Sequence, residues 1–371
     1  MSVPFNDLRL GWIAQSEEAK IVSNKILTSG YFIMGPYHDR FEIDLARYLG
    51  CSFALGVSSG TDALVIALRA LGVEQSSTIV NVANAGGYTS IAAAEIGCKI
   101  LYADVDVKTH LLTVDKLMEL DLSQVDVVVV THLYGNAAPI DEIVDFCRDR
   151  NIKVLEDCAQ SLGGESSKGV KLGTVGDVGT TSFYPTKNLG AAGDGGAIFT
   201  NSEEIAKRVV SLRQYGWSTK YNVLRPGGTN SRLDELQAAI LSIGLKSLDD
   251  RNEKRRLISQ RYSNELAIYG IRILLGESDG STTGHLSVMV LPGGLERKSL
   301  QEYLASAKVG TAIHYPILDT EQIGLKYLSP SPIISKAVSS QILSIPCFDG
   351  MLEEQVTYVI KTIERYMNAY K

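Results

Sequence analysis

The chain has 371 residues, 45% hydrophobic and 21% charged, which is enough apolar material for one large domain or two lobes. Lysine and arginine total 36 against 42 acidic residues, so the net charge of -6 provides no field that would gather nucleic acid or an anionic membrane, and an anionic ligand must be held locally. Five scattered cysteines without a C-x-x-C pair or a histidine at ligand spacing, no basic-then-apolar leader in MSVPFNDLRLGW, and no apolar run near the roughly 18 residues of a bilayer span read as a cytoplasmic protein with buried thiols, no metal and no membrane segment.

From about residue 53 to 200, short β-branched or apolar runs alternate with helical patterns: FALGV, TIVNV, KILYADV, VDVVVV, KVLED, TSFYP and GAIFT. Several are apolar throughout, as strands covered on both faces are. The pattern predicts an α/β fold, a three-layer sandwich around a mostly parallel sheet. After Asn230 a helix-like SRLDELQAAIL leads into a charged amphipathic stretch, LKSLDDRNEKRRLISQRYSNEL, and short strands then mix with helices. Residues 1–245, including the N-terminal segment, therefore read as a large domain and 246–371 as a smaller α+β domain.

Three stretches in the first part carry chemistry. In VSSGTDALVIALRAL, a strand meets a turn and a buried helix that Thr61 could cap; the free N–H groups of its first turn form an anion site, although a plain strand-turn-helix has the same look. In IKVLEDCAQ a strand ends at Glu156 and Asp157, where an α/β sheet gathers its ligands, with Gln160 a turn later. An ordinary capping aspartate would read the same way. In TSFYPTKNLGAAGDGGAIF, Lys187 sits among small residues, but neither the P-loop order nor the dinucleotide fingerprint is met, because the glycines lead into a strand. A solvated lysine and a lysine facing a bulky ligand are both compatible with that loop.

Taken together, GTDAL, EDCAQ and SFYPTKNLGAAGDGGA resemble the DegT/DnrJ/EryC1/StrS family of pyridoxal-phosphate (PLP) sugar aminotransferases. The likeness extends to GYFIMGPYHDRFE, HLYGNAAPID, NSRLDELQAA, HYP and SIPCFDGM, and so spans nearly the whole chain. It implies PLP fold type I, with pyridoxamine 5′-phosphate as the aminated form of the cofactor. It makes Lys187 the lysine that holds the cofactor covalently, Asp157 the partner of the pyridine nitrogen and Gln160 the polar residue near the ring oxygen. Gly60, Thr61 and Ser182 match the phosphate site, and Tyr88 the aromatic stacked on the ring, although ANAGGYTSIAAAE departs from the commoner pattern there. Asn230 matches an asparagine that reaches the neighbouring subunit's phosphate, which implies a homodimer with shared active sites; a turn residue, or a Ser231–Asp234 capping box, would also suit that stretch.

The residue types suit the chemistry. A primary amine can hold the cofactor aldehyde, release it and then move a proton. An aspartate at about 4 Å and an effective dielectric of about 20 favours a protonated ring nitrogen by about 4 kcal/mol, an upper limit. L-glutamate is the expected donor, and a nucleotide-linked keto sugar the expected acceptor. A C-terminal arginine that would clamp an amino-acid carboxylate is missing after Arg272, where only Arg297 and Arg365 follow. For the nucleotide sugar the candidates are Tyr184, His314, Tyr315 and Arg232, with Arg213, Arg225 and Tyr31 behind them. RQYGWSTKYN and GGTNSRLDELQAA look most like relatives that aminate carbon 3; a carbon-4 enzyme, a glutamine-dependent cyclitol aminotransferase and a non-catalytic regulatory protein are the alternatives. A sugar dehydratase of the family would carry histidine in place of Lys187.

Overall fold

The computed structural model describes residues 1–276, 279–325 and 332–370. The central sheet contains β1 (Phe53–Val57), β2 (Thr78–Val82), β3 (Lys99–Ala103), β4 (Val127–Thr131), β5 (Lys153–Asp157), β6 (Val178–Ser182) and β7 (Gly196–Thr200). Their spatial order is β1-β7-β6-β5-β4-β2-β3, and of the seven only β7 runs against the others. The apolar runs mark these strands, with one shift. TSFYP gives β6 only its first two residues, because the chain turns after Ser182: Tyr184 N–H donates to Ser182 Oγ at 3.2 Å and Lys187 N–H to Tyr184 C=O at 2.8 Å.

Burial on both faces explains the unbroken apolar runs. Val127, Val129 and Leu155 face the core shared with Leu64 and Leu68 of the Gly60–Ala70 helix, whereas Val128, Val130 and Val154 pack with Ile140, Ile143 and Cys147 of the Ile140–Arg148 helix. A further core joins Ala54, Ala197 and Phe199 to the Pro36–Leu49 and Glu235–Leu245 helices. The expected three-layer α/β sandwich is the observed architecture. Among the described residues, no helix is long and apolar enough to cross a membrane.

Later in the chain, β8 (Trp217–Thr219) and β9 (Asn222–Val223) form an exposed hairpin. Strands β10 (Arg272–Ile273), β11 (Ser287–Val290) and β12 (Ile342–Ile345) form a second, antiparallel sheet. Helices Leu248–Leu266, Arg297–Ser306 and Glu353–Tyr370 enclose with it a core containing Tyr262, Met289, Leu343 and Ile363. Val3 joins this core and bridges to Val309.

The helix read in SRLDELQAAIL starts at Glu235, with Asp234 at its N-cap and no side-chain cap. The capping box does not form, because Ser231 Oγ accepts from Ser58 N–H at 3.1 Å. Glu235 instead serves another helix. Its buried carboxylate accepts from the N–H groups of Gly35, Tyr37 and His38 at 2.9, 2.7 and 3.0 Å, where the Pro36–Leu49 helix begins. Gly35 leaves room for it: a Cβ there would lie 2.7 Å from Glu235 Oε1. Replacing Glu235 by alanine strands three backbone donors and should cost roughly 3 kcal/mol. Urea unfolding of the apoprotein tests this; a loss below about 1 kcal/mol would show that water replaces the carboxylate.

Candidate active site

Strand register brings the site together. Val57 of β1 and Ser182 of β6 both pair with Gly196 of β7, and Asp157 of β5 pairs with Thr180 of β6. The carboxyl ends of β1, β5 and β6 therefore meet at one edge, where α/β sheets collect ligands. A cavity of about 640 Å³ opens there. Gly60, Thr61, Tyr88, Asp157, Gln160, Ser182, Tyr184, Lys187, His314 and Tyr315 all line it.

At one end lies the start of the Gly60–Ala70 helix. Its N-cap is Ser59, whose side chain accepts from Asp62 N–H at 3.1 Å, rather than Thr61, which lies inside the first turn. That correction leaves the N–H groups of Gly60 and Thr61 ahead of the first intrahelical bond, from Ala63 N–H to Ser59 C=O. Ser182 closes the pocket: a Cβ on Gly60 would lie 2.6 Å from Ser182 Cβ, so glycine is what lets helix and loop approach.

At the other end Asp157 and Lys187 share the cavity. Asp157 is buried and accepts from Ala159 N–H at 3.0 Å. Burial pushes its carboxyl up from the usual range, opposed by that bond and by Lys187 and His132. Burial pushes the Lys187 amine down to about 8, with Asp157 acting in the opposite sense. Glu156, beside Asp157, turns away from the crevice. It binds the N–H groups of Gly173, Val175 and Gly176 and Nε2 of His132, whose Nδ1 accepts from Ala138 N–H. This web fixes the end of β5 and accounts for the buried His132–Glu156–Cys158 cluster.

Gln160 bridges two elements: its Oε1 accepts from Tyr134 N–H at 2.6 Å and its Nε2 donates to the Tyr315 hydroxyl at 2.9 Å. Tyr88 and Tyr315 meet edge to face with ring centroids 6.3 Å apart. His314 Nδ1 lies 2.9 Å from Ser344 Oγ and its ring stacks on Phe5; burial lowers the histidine to about 4, so it is neutral near pH 7.

Other candidates fall elsewhere. Asn230 is exposed and Arg232 partly so, its guanidinium 5.8 Å from the Tyr215 ring centroid; neither lines the cavity of the single chain, and Arg225 and Tyr31 do not line it either. Arg213 is removed from the ligand candidates, because it is buried in an ion pair with Glu42 and donates to Gly56 C=O at 2.8 Å.

The cavity also includes Phe5, Asn6 and His285, which no sequence motif marked, and Asp194, which lies in the lysine motif without an assigned role. Asn188 Nδ2 donates to Asn252 Oδ1 and Thr283 C=O, so its Oδ1 accepts from Nδ1–H of His285 at 2.8 Å; burial, and then the charges of Lys187 and Arg255, hold His285 well below its usual range and so neutral. Asn188, adjacent to the lysine, ties its loop to a helix far along the chain.

The DegT/DnrJ/EryC1/StrS aminotransferase family pattern matches residues 14–364. The chain belongs to that family. A dTDP-3-amino-3,6-dideoxy-alpha-D-galactopyranose transaminase of Aneurinibacillus thermoaerophilus is 37% identical over 365 residues, covering 98% of this chain and 99% of its own. Among solved structures, DesV of S. venezuelae in complex with a ketimine intermediate superposes with a TM-score of 0.93 at 30% identity, covering 99% of this chain and 98% of DesV. NtdA of Bacillus subtilis with bound cofactor PMP has a TM-score of 0.91 at 28% identity, covering 99% of this chain and 85% of NtdA. The protein is a PLP-dependent aminotransferase of this family. The cavity fits that cofactor: a carboxylate, an amine and the N–H groups of a helix start beside a glycine-made recess all line it.

The lysine titration gives a test on the apoprotein. Its amine pKa falls from 10.5 to about 8 on folding, so the unfolded chain binds more protons between those values. Burial of this amine therefore costs stability in full below pH 8 and stops doing so as the pH rises toward 10.5. Trapping of Lys187 by a small aldehyde with borohydride should follow one ionisation near pH 8, and Asp157→Asn should move the midpoint down. A midpoint that stays at 10.5 would show the amine to be solvated.

Proposed function

We propose that the protein transfers an amino group from L-glutamate to a keto group at carbon 3 of a nucleotide-diphosphate-linked deoxysugar, as a cytoplasmic homodimer in which each subunit helps to complete the other's site. The observation that carries the reaction class is the meeting of Lys187 and Asp157 in one cavity that the N-terminus of the Gly60–Ala70 helix also lines. The name of the Aneurinibacillus relative supports carbon 3.

When bound, PLP supplies an aldehyde that carries the amino group and a ring that draws electrons from the adjoining carbon. In this reading Gly60 and Thr61 N–H, the Thr61 hydroxyl and Ser182 Oγ hold its phosphate, drawing on the helix dipole for roughly 0.3 to 2 kcal/mol. Asp157 presents negative charge to the ring nitrogen, and Gln160, fixed by Tyr134, faces the ring oxygen. Tyr88 covers one face. Lys187 Nζ holds the cofactor and then moves the proton at the substrate carbon, and an amine near pKa 8 is suited to both giving and taking it at neutral pH.

The partner subunit is inferred from charge. Among the described residues lining the cavity, Lys187 carries the one amine or guanidinium, since His285 and His314 are held neutral. A nucleotide diphosphate needs further cations and donors. Asn230, Arg232 and the exposed β8–β9 hairpin, which carries Lys220 and Tyr221, stand outside the single chain's cavity, and in this reading they supply those groups to a neighbouring copy.

With glutamate as donor, NMR of products from 3-keto and 4-keto sugar nucleotides should show the amine on carbon 3 alone; an amine on carbon 4, or turnover of a keto-cyclitol with glutamine in its place, would overturn the assignment. Subunit sharing is tested by mixing two inactive variants, Lys187→Ala and Asn230→Ala. Random reassortment should return about a quarter of wild-type activity per subunit, because half the dimers then contain one intact site. No recovery after confirmed subunit exchange would place Asn230 and Lys187 in the same chain's site.

A further inference from the structure

The helix that carries Tyr88 begins without a cap of its own. Tyr88 is its first residue, and the N-cap is Gly87, at φ +85° and with no side chain to offer. The preceding Gly86, at φ +83°, lies flat on Tyr315, where a Cβ would meet ring atoms at 2.7 Å. The missing cap comes from 232 residues away: Asp319 Oδ1 accepts from Gly87 N–H at 2.8 Å. Its Oδ2 accepts from Ser90 Oγ at 2.6 Å and lies 3.4 Å from Asn81 Nδ2, and its own N–H donates to Ala83 C=O at 2.8 Å. Asp319 is fully buried and does not line the cavity.

We propose that Asp319 is a positioning residue that clamps the Gly86–Gly87 turn to the segment following Tyr315 and thereby fixes the Tyr88 ring over the cofactor site. The proposal rests on the reading of Tyr88 as the residue covering the cofactor face. Three features support it. The carboxylate occupies the place a capping-box side chain would take, bonding both the N-cap N–H and the side chain at the third helical position. Gly86 admits the Tyr315 ring, which a side chain there would strike, and both glycines take the positive φ that the turn requires. Asp319 and Tyr315 stand on the same short segment, so one anchor sets both rings of the Tyr88–Tyr315 edge-to-face pair.

The test compares Asp319→Ala, Asp319→Asn, Tyr88→Ala and the Asp319→Ala/Tyr88→Ala pair. Hydrogen exchange of the Gly87–Ile91 amides is read in the apoprotein, and the PLP dissociation constant by absorbance titration. Asp319→Ala should speed exchange at the helix start and weaken PLP about tenfold, the loss of one charge-assisted hydrogen bond. Asp319→Asn, whose carboxamide oxygen can still accept from Gly87 N–H, should recover most of both effects. The double variant should bind PLP no more weakly than Tyr88→Ala alone. Additive losses, or unchanged exchange and affinity in Asp319→Ala, overturn the proposal. If Tyr88→Ala leaves PLP affinity unchanged while Asp319→Ala still speeds exchange, the covering role of Tyr88 is overturned and the clamp is upheld by exchange alone. Should Asp319→Ala fail to fold, Ser90→Ala removes one donor to the same carboxylate, and unchanged exchange in that variant counts against the clamp.

Discussion

The site depends on the mutual attraction of two charges that burial opposes separately. Water withdrawn from Asp157 raises its carboxyl and water withdrawn from Lys187 lowers its amine, and each group moves the other back toward its charged form. Neither is surrounded by hydrogen-bond donors as Glu156, one residue away, is by the 173–176 turn and His132. That contrast between adjacent acids separates a group held for chemistry from one held for architecture. The sheet makes the contrast possible, because alternation along β5 sends Glu156 toward the backbone of the 173–176 turn and Asp157 toward the cavity.

Glycine marks two helix starts that a distant carboxylate caps. Two helices start at glycines, Gly35 and Gly87, and each is capped by a carboxylate from far along the chain, Glu235 and Asp319. A serine or aspartate cap would have kept each helix start local. With glycine, each start is secured only once the remote segment has docked, so local order and tertiary assembly become one event. Gly60 does the same for a ligand-facing recess by letting Ser182 close on the helix.

Much of this was legible in the sequence, and what was not has a physical reason. Unbroken valine runs such as VDVVVV announced strands buried on both faces, and GTDAL, EDCAQ and SFYPTKNLG named Gly60, Thr61, Asp157, Ser182 and Lys187, which line one pocket. The cap at Ser59 was missed because SSGT offers several capping hydroxyls and only backbone geometry selects among them. Arg213 could pass as a ligand residue because a charge in a sequence does not reveal its partner, and Glu42 lies 171 positions away. His285 and Asp319 sit in TTGHLS and ILDTE, stretches with no spacing signal, and they acquire meaning through contacts with Asn188 and Gly87 alone. Local pattern records what a residue is beside in the chain, whereas these residues work through what the topology brings to them.

The reversed direction of β7 shapes the lysine loop in a further respect. Ser182 and Gly196 are paired neighbours on adjacent strands, so everything between them, Lys187 included, is an excursion that leaves and rejoins the sheet at the same rung. Such an excursion behaves as a tethered arm with both roots on a rigid base. Between its roots the arm is held down as well, because Phe183, Leu189 and Ala191 are buried in the core with Leu241 and Leu245, so the reach of its amine is set by packing.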